Sequence, residues 1–544
     1  MRYFIFSLIL LIGASCMKGQ SVDLVIHNAK IHTMDDKNSV VQAIAIRDGK
    51  VVEVGPDRQI MNKYSADEFI DAEGKDIFPG LADAHGHMMS LARQKLSANL
   101  VGSASMEELI VRVEKYDQKK ERSVIVGGGW DQSLWNTNAT QLPTNEILNE
   151  KFPNKPVVLY RIDGHAILVN NAALKKYGIT GSTQIEGGAI LKGEDGKLTG
   201  LLLDNAISLI SNKLPDFSDR ELSVALLEIQ QELYGYGITD VHEAGLTPHD
   251  FKLIRSLVKQ NKLTIGIYGM LYPETENSDF AKKHGILKEK NLFVRSFKVM
   301  GDGALGSRGA LLKQPYSDDL HNHGLLTTSL ADLKRYSSLA ELTGYQLNIH
   351  AIGDSTNRLV LELIQAYSQK NPDHRWRLEH AQVIDPKDFE LLASSGAFPS
   401  VQPTHAVSDQ RWAESRLGKA RLRGAYAYNT LLQKAGMLAI GTDFPVESTN
   451  PFLTIHAAVN RKNADGDPIE GFLMEDALSE EACLRGMTIW AAFASFQEET
   501  KGSLEKGKDA TLVMLESPFS SKGTYNANYS NRTFIRGKQV FSME

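Results

Sequence analysis

Cysteine is almost missing from this chain: there are two in 544 residues, Cys16 and Cys483. Cys16 falls in a leader-like first stretch, so the mature body has no pair for a disulfide and cannot be a disulfide-stapled scaffold. Cys483, in the helical-looking "LSEEACLRGM", reads as a small buried side chain. Long apolar runs are also scarce. After the extreme N-terminus no segment is apolar for long enough to cross a bilayer as a helix, so the mature body reads as soluble. There is no basic excess either: 60 Lys+Arg against 66 Asp+Glu leave a net charge of −6. That balance argues against a nucleic-acid binder. What remains is ordinary globular composition, 42% hydrophobic and 23% charged, in a chain too long for a single core.

The first residues, "MRYFIFSLILLIGASC", carry one early positive charge, a short apolar run and then small residues. This is the pattern of a secretory signal. Gly13, Ala14 and Ser15 directly before Cys16 resemble a bacterial lipoprotein cleavage box, although Gly13 stands where leucine is usual. Residues 1–20 are therefore expected to be a signal or lipoprotein segment. The chain would be exported, either as a periplasmic protein or anchored to a membrane through a lipid on Cys16.

Two further patterns follow. Residues 21–80 and 500–544 read as short alternating strands broken by Asp-Gly and Glu-Gly turns. Neither end has enough core alone, so a composite β-sandwich built from both is expected. Residues 81–95 and 220–499 repeat another unit, a short apolar strand with a polar tip followed by a helical stretch. The strands are "GLADAHGH", "GITDVHEAG", "LTIGIYGML", "SFKVMGDG", "YQLNIHAIGD", "RWRLEHAQV", "AFPSVQPTH" and "MLAIGTDFP". Eight such units fit a (β/α)8 TIM barrel, an α/β fold. Residues 96–219 are too long for a loop and carry strand and turn signals of their own, which predicts an inserted lid or substrate domain after the first barrel strand.

The polar tips carry the chemistry. In "FPGLADAHGH", His85 and His87 are two residues apart, so alternation along a strand puts both imidazoles on one face. Lys298, His350, His380 and Asp443 sit at the tips of the fourth, fifth, sixth and eighth strands, the end where barrels keep their active sites. Imidazole and carboxylate suit Zn²⁺ or a similar divalent ion. His85, His87 and Asp443 would make one site, and His350 with His380 a second. Lys298 has two readings. It either pairs with Asp302 four residues on, or, neutral through burial, adds carbon dioxide to become a carbamate that bridges two metals.

The order H-x-H, Lys, His, His, Asp on successive strands is similar to that of the amidohydrolase superfamily of metal hydrolases. "GWDQSLW", "YRIDGHAILVNNAAL", "FKVMGDGALGSRGALL", "HAIGD", "LEHAQ", "GTDFPV" and the closing "GSLEKGKDATLVML" resemble its amidohydrolase-3 subgroup, which includes N-substituted formamide deformylases and YtcJ-type relatives. The resemblance spans the mature chain, with one departure at Gly309, where relatives usually carry threonine. It implies His85, His87, Lys298, His350, His380 and Asp443 as site residues, one or two Zn²⁺ ions per chain and a carbamylated Lys298.

A metal-activated hydroxide would then attack a small-molecule amide, cleaving a non-peptide C–N bond of N-formyl or N-acyl type, with Asp443 moving the proton from water to the departing nitrogen. Two other functions fit the same fold. One is a deaminase or cyclic-amide hydrolase, which needs a single metal and no bridging lysine. The other is a non-catalytic binding relative, which would have lost ligands. Around the ligands, His165 would meet substrate or sit in a turn, and Asp163 would orient its ring. Trp130 and Asp131 would line the pocket, unless Trp130 is core. Arg308 would hold a substrate carboxylate or tie its loop, His405 would contact substrate, and His242 would stand behind the site. Glu379, next to His380, is expected by strand parity to point away from the cavity. His27, His32, His321 and His323 read as surface or structural. Oligomeric state is not fixed by these residues.

Overall fold

In the computed structural model the described residues are 19–135, 142–519 and 529–543. The segment expected to be a signal, with Cys16, falls almost wholly outside them. The eight apolar runs form eight strands: β1 (Leu81–Gly86), β2 (Ile238–Leu246), β3 (Gly266–Leu271), β4 (Leu292–Met300), β5 (Gln346–Ala351), β6 (Arg377–His380), β7 (Phe398–Val401) and β8 (Ala439–Ile440). Each pairs in parallel with the next. Residues just after β8 all but close the ring onto β1. Asp443 N donates to His85 O at 2.7 Å and His87 N to Phe444 O at 2.9 Å. Thr442 adds its backbone N–H and its hydroxyl to the Asp83 carboxylate.

Strands of such a barrel are covered on both faces, which is why they read as nearly continuous apolar runs rather than as clean alternation. Every residue of β1, β3, β5, β6 and β7 is buried. The helices around them begin at polar caps. Ser218 and Glu221 form a reciprocal capping box at α1 (Asp219–Gly235). Thr247 caps α2 (Pro248–Lys259), with Pro248 in the first turn, and Ser329 caps α3 (Leu330–Thr343). Their apolar faces, with Leu226, Ile229 and Ile254, join Ile349 and Leu378 of the strands in one large core.

Between β1 and β2 lies a separate six-stranded sheet, in the order Gly188–Lys192, Leu198–Asp204, Ala166–Val169, Val157–Arg161, Ile125–Trp130, Ala98–Asn99. It has an apolar cluster on each face. At the chain ends, Leu512–Leu515 pairs antiparallel with Asp76–Pro79 in a sheet that also holds Lys30–His32. Leu24, Ile31, Leu512 and Phe534 share one core there. His32 hydrogen-bonds Asp76 at 2.7 Å and stacks on Phe78, a structural role. Cys483 is fully buried.

Candidate active site

The six side chains singled out on the barrel strands converge at the C-terminal ends of those strands. From β1, His85 Nε2 lies 3.6 Å from Asp443 Oδ1, and His87 Nε2 lies 3.0 Å from the same oxygen. From β4, Lys298 Nζ approaches His85 Nε2 to 3.1 Å. The rings of His350 and His380 are 4.5 Å apart, and His380 is 4.8 Å from His85, centroid to centroid. His380 Nδ1 reaches to 4.0 Å from Asp443 Oδ2. His405, from the short helix Thr404–Asp409 after β7, completes the other side: its Nε2 is 3.1 Å from Asp443 Oδ2 and its Nδ1 is 3.2 Å from Glu447 Oε1.

Burial sets the protonation states. It pushes His85 down to about 4, helped by the Lys298 charge, and holds His350 and His380 well below the ordinary histidine range. These imidazoles are neutral near pH 7. Burial also brings the Lys298 amine down to about 8. Desolvation would raise Asp443, but the surrounding imidazoles of His85, His405 and His87 outweigh it and hold the carboxylate well below its ordinary range. Lys298 does not pair with Asp302. That carboxylate is occupied by the backbone N–H groups of Leu311, Ile352 and Gly353, at 2.9–3.0 Å.

The donor set fits a divalent cation. His350 Nε2, His380 Nδ1 and Asp443 Oδ1 are buried and make no hydrogen bond among the described residues. Buried lone-pair atoms normally find a donor, so three such atoms in one cavity mark a missing positive partner. The ligand atoms of His85, His87 and Asp443 lie within 4.8 Å of one another, as do those of His380, His405 and Asp443. Either triad matches the N/O chemistry of zinc and its neighbours.

Several expectations need correction. Glu379 does not point away. Its Oε2 accepts the His85 Nδ1 proton at 2.6 Å, with both side chains fully buried. Burial opposes its ionisation, yet Arg377 and His85 hold Glu379 at about 2. Arg377 pairs with it at 2.8 Å and also reaches His242, Ala84 O and the Ser400 hydroxyl. His242 thus stands behind the site, as expected. Alternation does not place Glu379 and His380 on opposite sides here because His380 leaves the extended conformation, with φ 71°. The signal was the alternating Arg377-x-Glu379, which marks the inward face.

Trp130 does not line the cavity. It is fully buried in the core of the inserted unit and donates its indole N–H to Leu159 O. Asp131, beside it, is tied to Arg161 at 3.0 Å. Asp163 does not orient the His165 ring; it pairs with Arg161 and accepts the His165 backbone N–H. The ring is held by Asp204, at 2.7 Å, a residue that nothing in the sequence pattern marked. His165 itself does reach the barrel, with its ring 5.0 Å from that of His350. Arg308 ties its own loop through Asp318 at 3.1 Å, and Arg416 shares that carboxylate.

Comparison with known proteins agrees with this geometry. The chain is 30% identical over 95% of its length, and 98% of the relative's, to the putative amidohydrolase YtcJ of Bacillus subtilis. It is 27% identical to the N-substituted formamide deformylase of Arthrobacter pascens, over 91% of this chain and 94% of that one. Among solved structures, an uncharacterized metal-dependent hydrolase from Pyrococcus horikoshii superposes with a TM-score of 0.75 at 26% identity, covering 93% of this chain and 99% of the other. The sequence model of the amidohydrolase family matches residues 68–541. With ligand-type side chains clustered at the C-terminal ends of a parallel barrel and that match across nearly the whole length, the chain belongs to the amidohydrolase family of metal-dependent hydrolases.

Proposed function

We propose that this enzyme hydrolyses the C–N bond of a non-peptide amide, an N-formyl or N-acyl amine, and that Lys298, once carbamylated, would join His85, His87, His350, His380 and Asp443 in holding the divalent metal. The observation that carries it is Lys298: a buried amine, brought down to about 8, set 3.1 Å from a ligand imidazole and with no hydrogen bond to a carboxylate among the described residues. A neutral amine can take up carbon dioxide and become an anion with two oxygens, which suits a lysine placed among ligands. The likeness to a formamide deformylase over nearly the full chain supports the substrate class.

His85, His87 and Asp443 would hold one ion, and His350 and His380 the second. Bound there, divalent ions lower the pKa of a water to about 7 and polarise a carbonyl. The chain's own groups do the rest. Glu379 fixes the His85 tautomer, with the proton on Nδ1 and the lone pair on Nε2 turned to the site. His405 anchors one oxygen of Asp443 and leaves Oδ1 toward the cavity. The ionised Asp443 accepts the proton of the attacking water and returns it to the departing nitrogen, giving an amine and a carboxylic acid, or formate. His165 and His405 border the space in which the acyl group would lie.

Elemental analysis of the purified protein, with a screen of N-formyl and N-acyl amines, tests the proposal. Two ions per chain and turnover of such amides are expected, and Lys298→Ala should lower both. Unchanged metal content and turnover in Lys298→Ala would remove the carbamate. One ion per chain together with release of ammonia from a ring amine would replace the amide reading by the deaminase one.

A further inference from the structure

We infer that Asp204 is a positioning residue whose strained backbone is maintained to hold His165 at the metal side of the cavity. The inference rests on the function proposed above, in which His165 borders the substrate.

Asp204 ends the strand Leu198–Asp204 with φ 49° and ψ −125°, a conformation that side chains with a Cβ adopt only when their surroundings impose it. Its side chain makes no capping hydrogen bond to the short helical turn that follows, so local turn chemistry does not account for an aspartate there. The carboxylate is folded inward instead, with 1% of its surface exposed. Oδ1 accepts from His165 Nδ1 at 2.7 Å, and Oδ2 is buried without a hydrogen-bond partner among the described residues.

The backbone repeats the clamp, because Asp204 N donates to His165 O at 3.0 Å. Two glycines make room for the carboxylate. A Cβ on Gly303 would stand 2.4 Å from Oδ1, and one on Gly309 would stand 2.5 Å from Oδ2.

This arrangement does one thing for the site. A carboxylate on Nδ1 fixes the proton there, so the ring presents Nε2 as its other hydrogen-bonding atom, in one orientation. The ring sits 5.0 Å from His350, tilted by 36°. His165 belongs to the inserted unit, whereas His350 belongs to β5. The Asp204–His165 pair is thus how the insert brings a fixed polar group to a barrel-built site.

Asp204→Gly tests this in the full-length, metal-loaded enzyme, because glycine accepts the same backbone angles and removes only the carboxylate. The melting temperature should be unchanged or higher, and the metal content unchanged. kcat on the amide substrate should fall about 10²-fold, the scale for a misplaced active-site group. In protein labelled with ¹⁵N-histidine, the His165 Nδ1–H resonance, assigned by its loss in His165→Gln, should disappear. Asp204→Asn keeps an acceptor and should restore much of the signal and the rate. The double variant Asp204→Gly/His165→Gln should be no slower than His165→Gln. A large drop in melting temperature with kcat unchanged would make Asp204 a structural staple and overturn the inference. So would an Nδ1–H resonance that survives Asp204→Gly. If no amide is turned over by the wild type, the proposed function fails, while resonance and melting still decide the role of Asp204.

Discussion

Strands β1 and β6 each deliver a histidine to the cavity, and they do so by different means. At the end of β1, His85 and the adjoining His87 stand two residues apart and approach the same oxygen of Asp443. On β6, the period belongs to Arg377 and Glu379, which face the barrel interior, while His380 starts from the opposite register. Left-handed backbone at His380 and Ala381, φ 71° and 47°, turns the imidazole into the cavity. Asp443, beyond β8, is delivered the same way, with φ 64°. Side-chain alternation therefore assigns faces only while the backbone stays extended. At the tip of a barrel strand the demand of the site is met by local strain, as is common in functional regions.

The comparison is sharpened most by Glu379→Gln. Here β6 supports β1, because Glu379 fixes the His85 ring. Loss of its charge should weaken metal binding by about 10–100-fold, measured by competition with a chelator, with melting followed in parallel. Unchanged affinity would mean that β1 holds its ligands unaided.

A smaller effect is expected from pH. Burial holds Lys298 at about 8, whereas an exposed lysine keeps its proton to about 10.4. Between pH 7 and 8, at fixed dissolved carbon dioxide, the neutral amine grows about fivefold, and metal uptake by the metal-free protein should quicken in step. Through this group the sign for stability is the same. From about 8 to about 10.4 the unfolded chain binds the extra proton, so folding becomes more favourable as pH rises. Uptake that is flat or slower at pH 8 would count against the carbamate.

The smallest effect is expected of Ala381→Gly, which relieves the left-handed backbone beside His380. Stability should rise by about 0.5–1 kcal/mol in a denaturant titration, with metal content unchanged. A loss of stability would show that the Ala381 side chain, not its backbone angle, matters to β6.

Much of the barrel could be read in advance, because all eight strands are apolar runs with polar tips, and buried parallel strands look like that whatever lies around them. The six candidate ligands followed from the same tips. The supporting residues were harder. Glu379 was assigned to the wrong face because the register was taken from His380, and Trp130 looked like a pocket residue only because glycines precede it. Asp163 stands two residues from His165, yet it is not the acid that holds the ring. The true partner of His165 lies 39 residues away and is brought to it by the pairing of Ala166 with Leu203.

By itself the sequence determined the periodicities: where apolar strands run, where they end in imidazole, amine or carboxylate, and in what order. Those are local properties of side-chain type and spacing. Only the tertiary structure decided which carboxylate serves which imidazole, that Lys298 stands beside His85 rather than Asp302, and that two glycines leave space for Asp204. Such pairings depend on the closure of the ring and on packing between distant segments, and neither is encoded in the spacing of neighbouring residues.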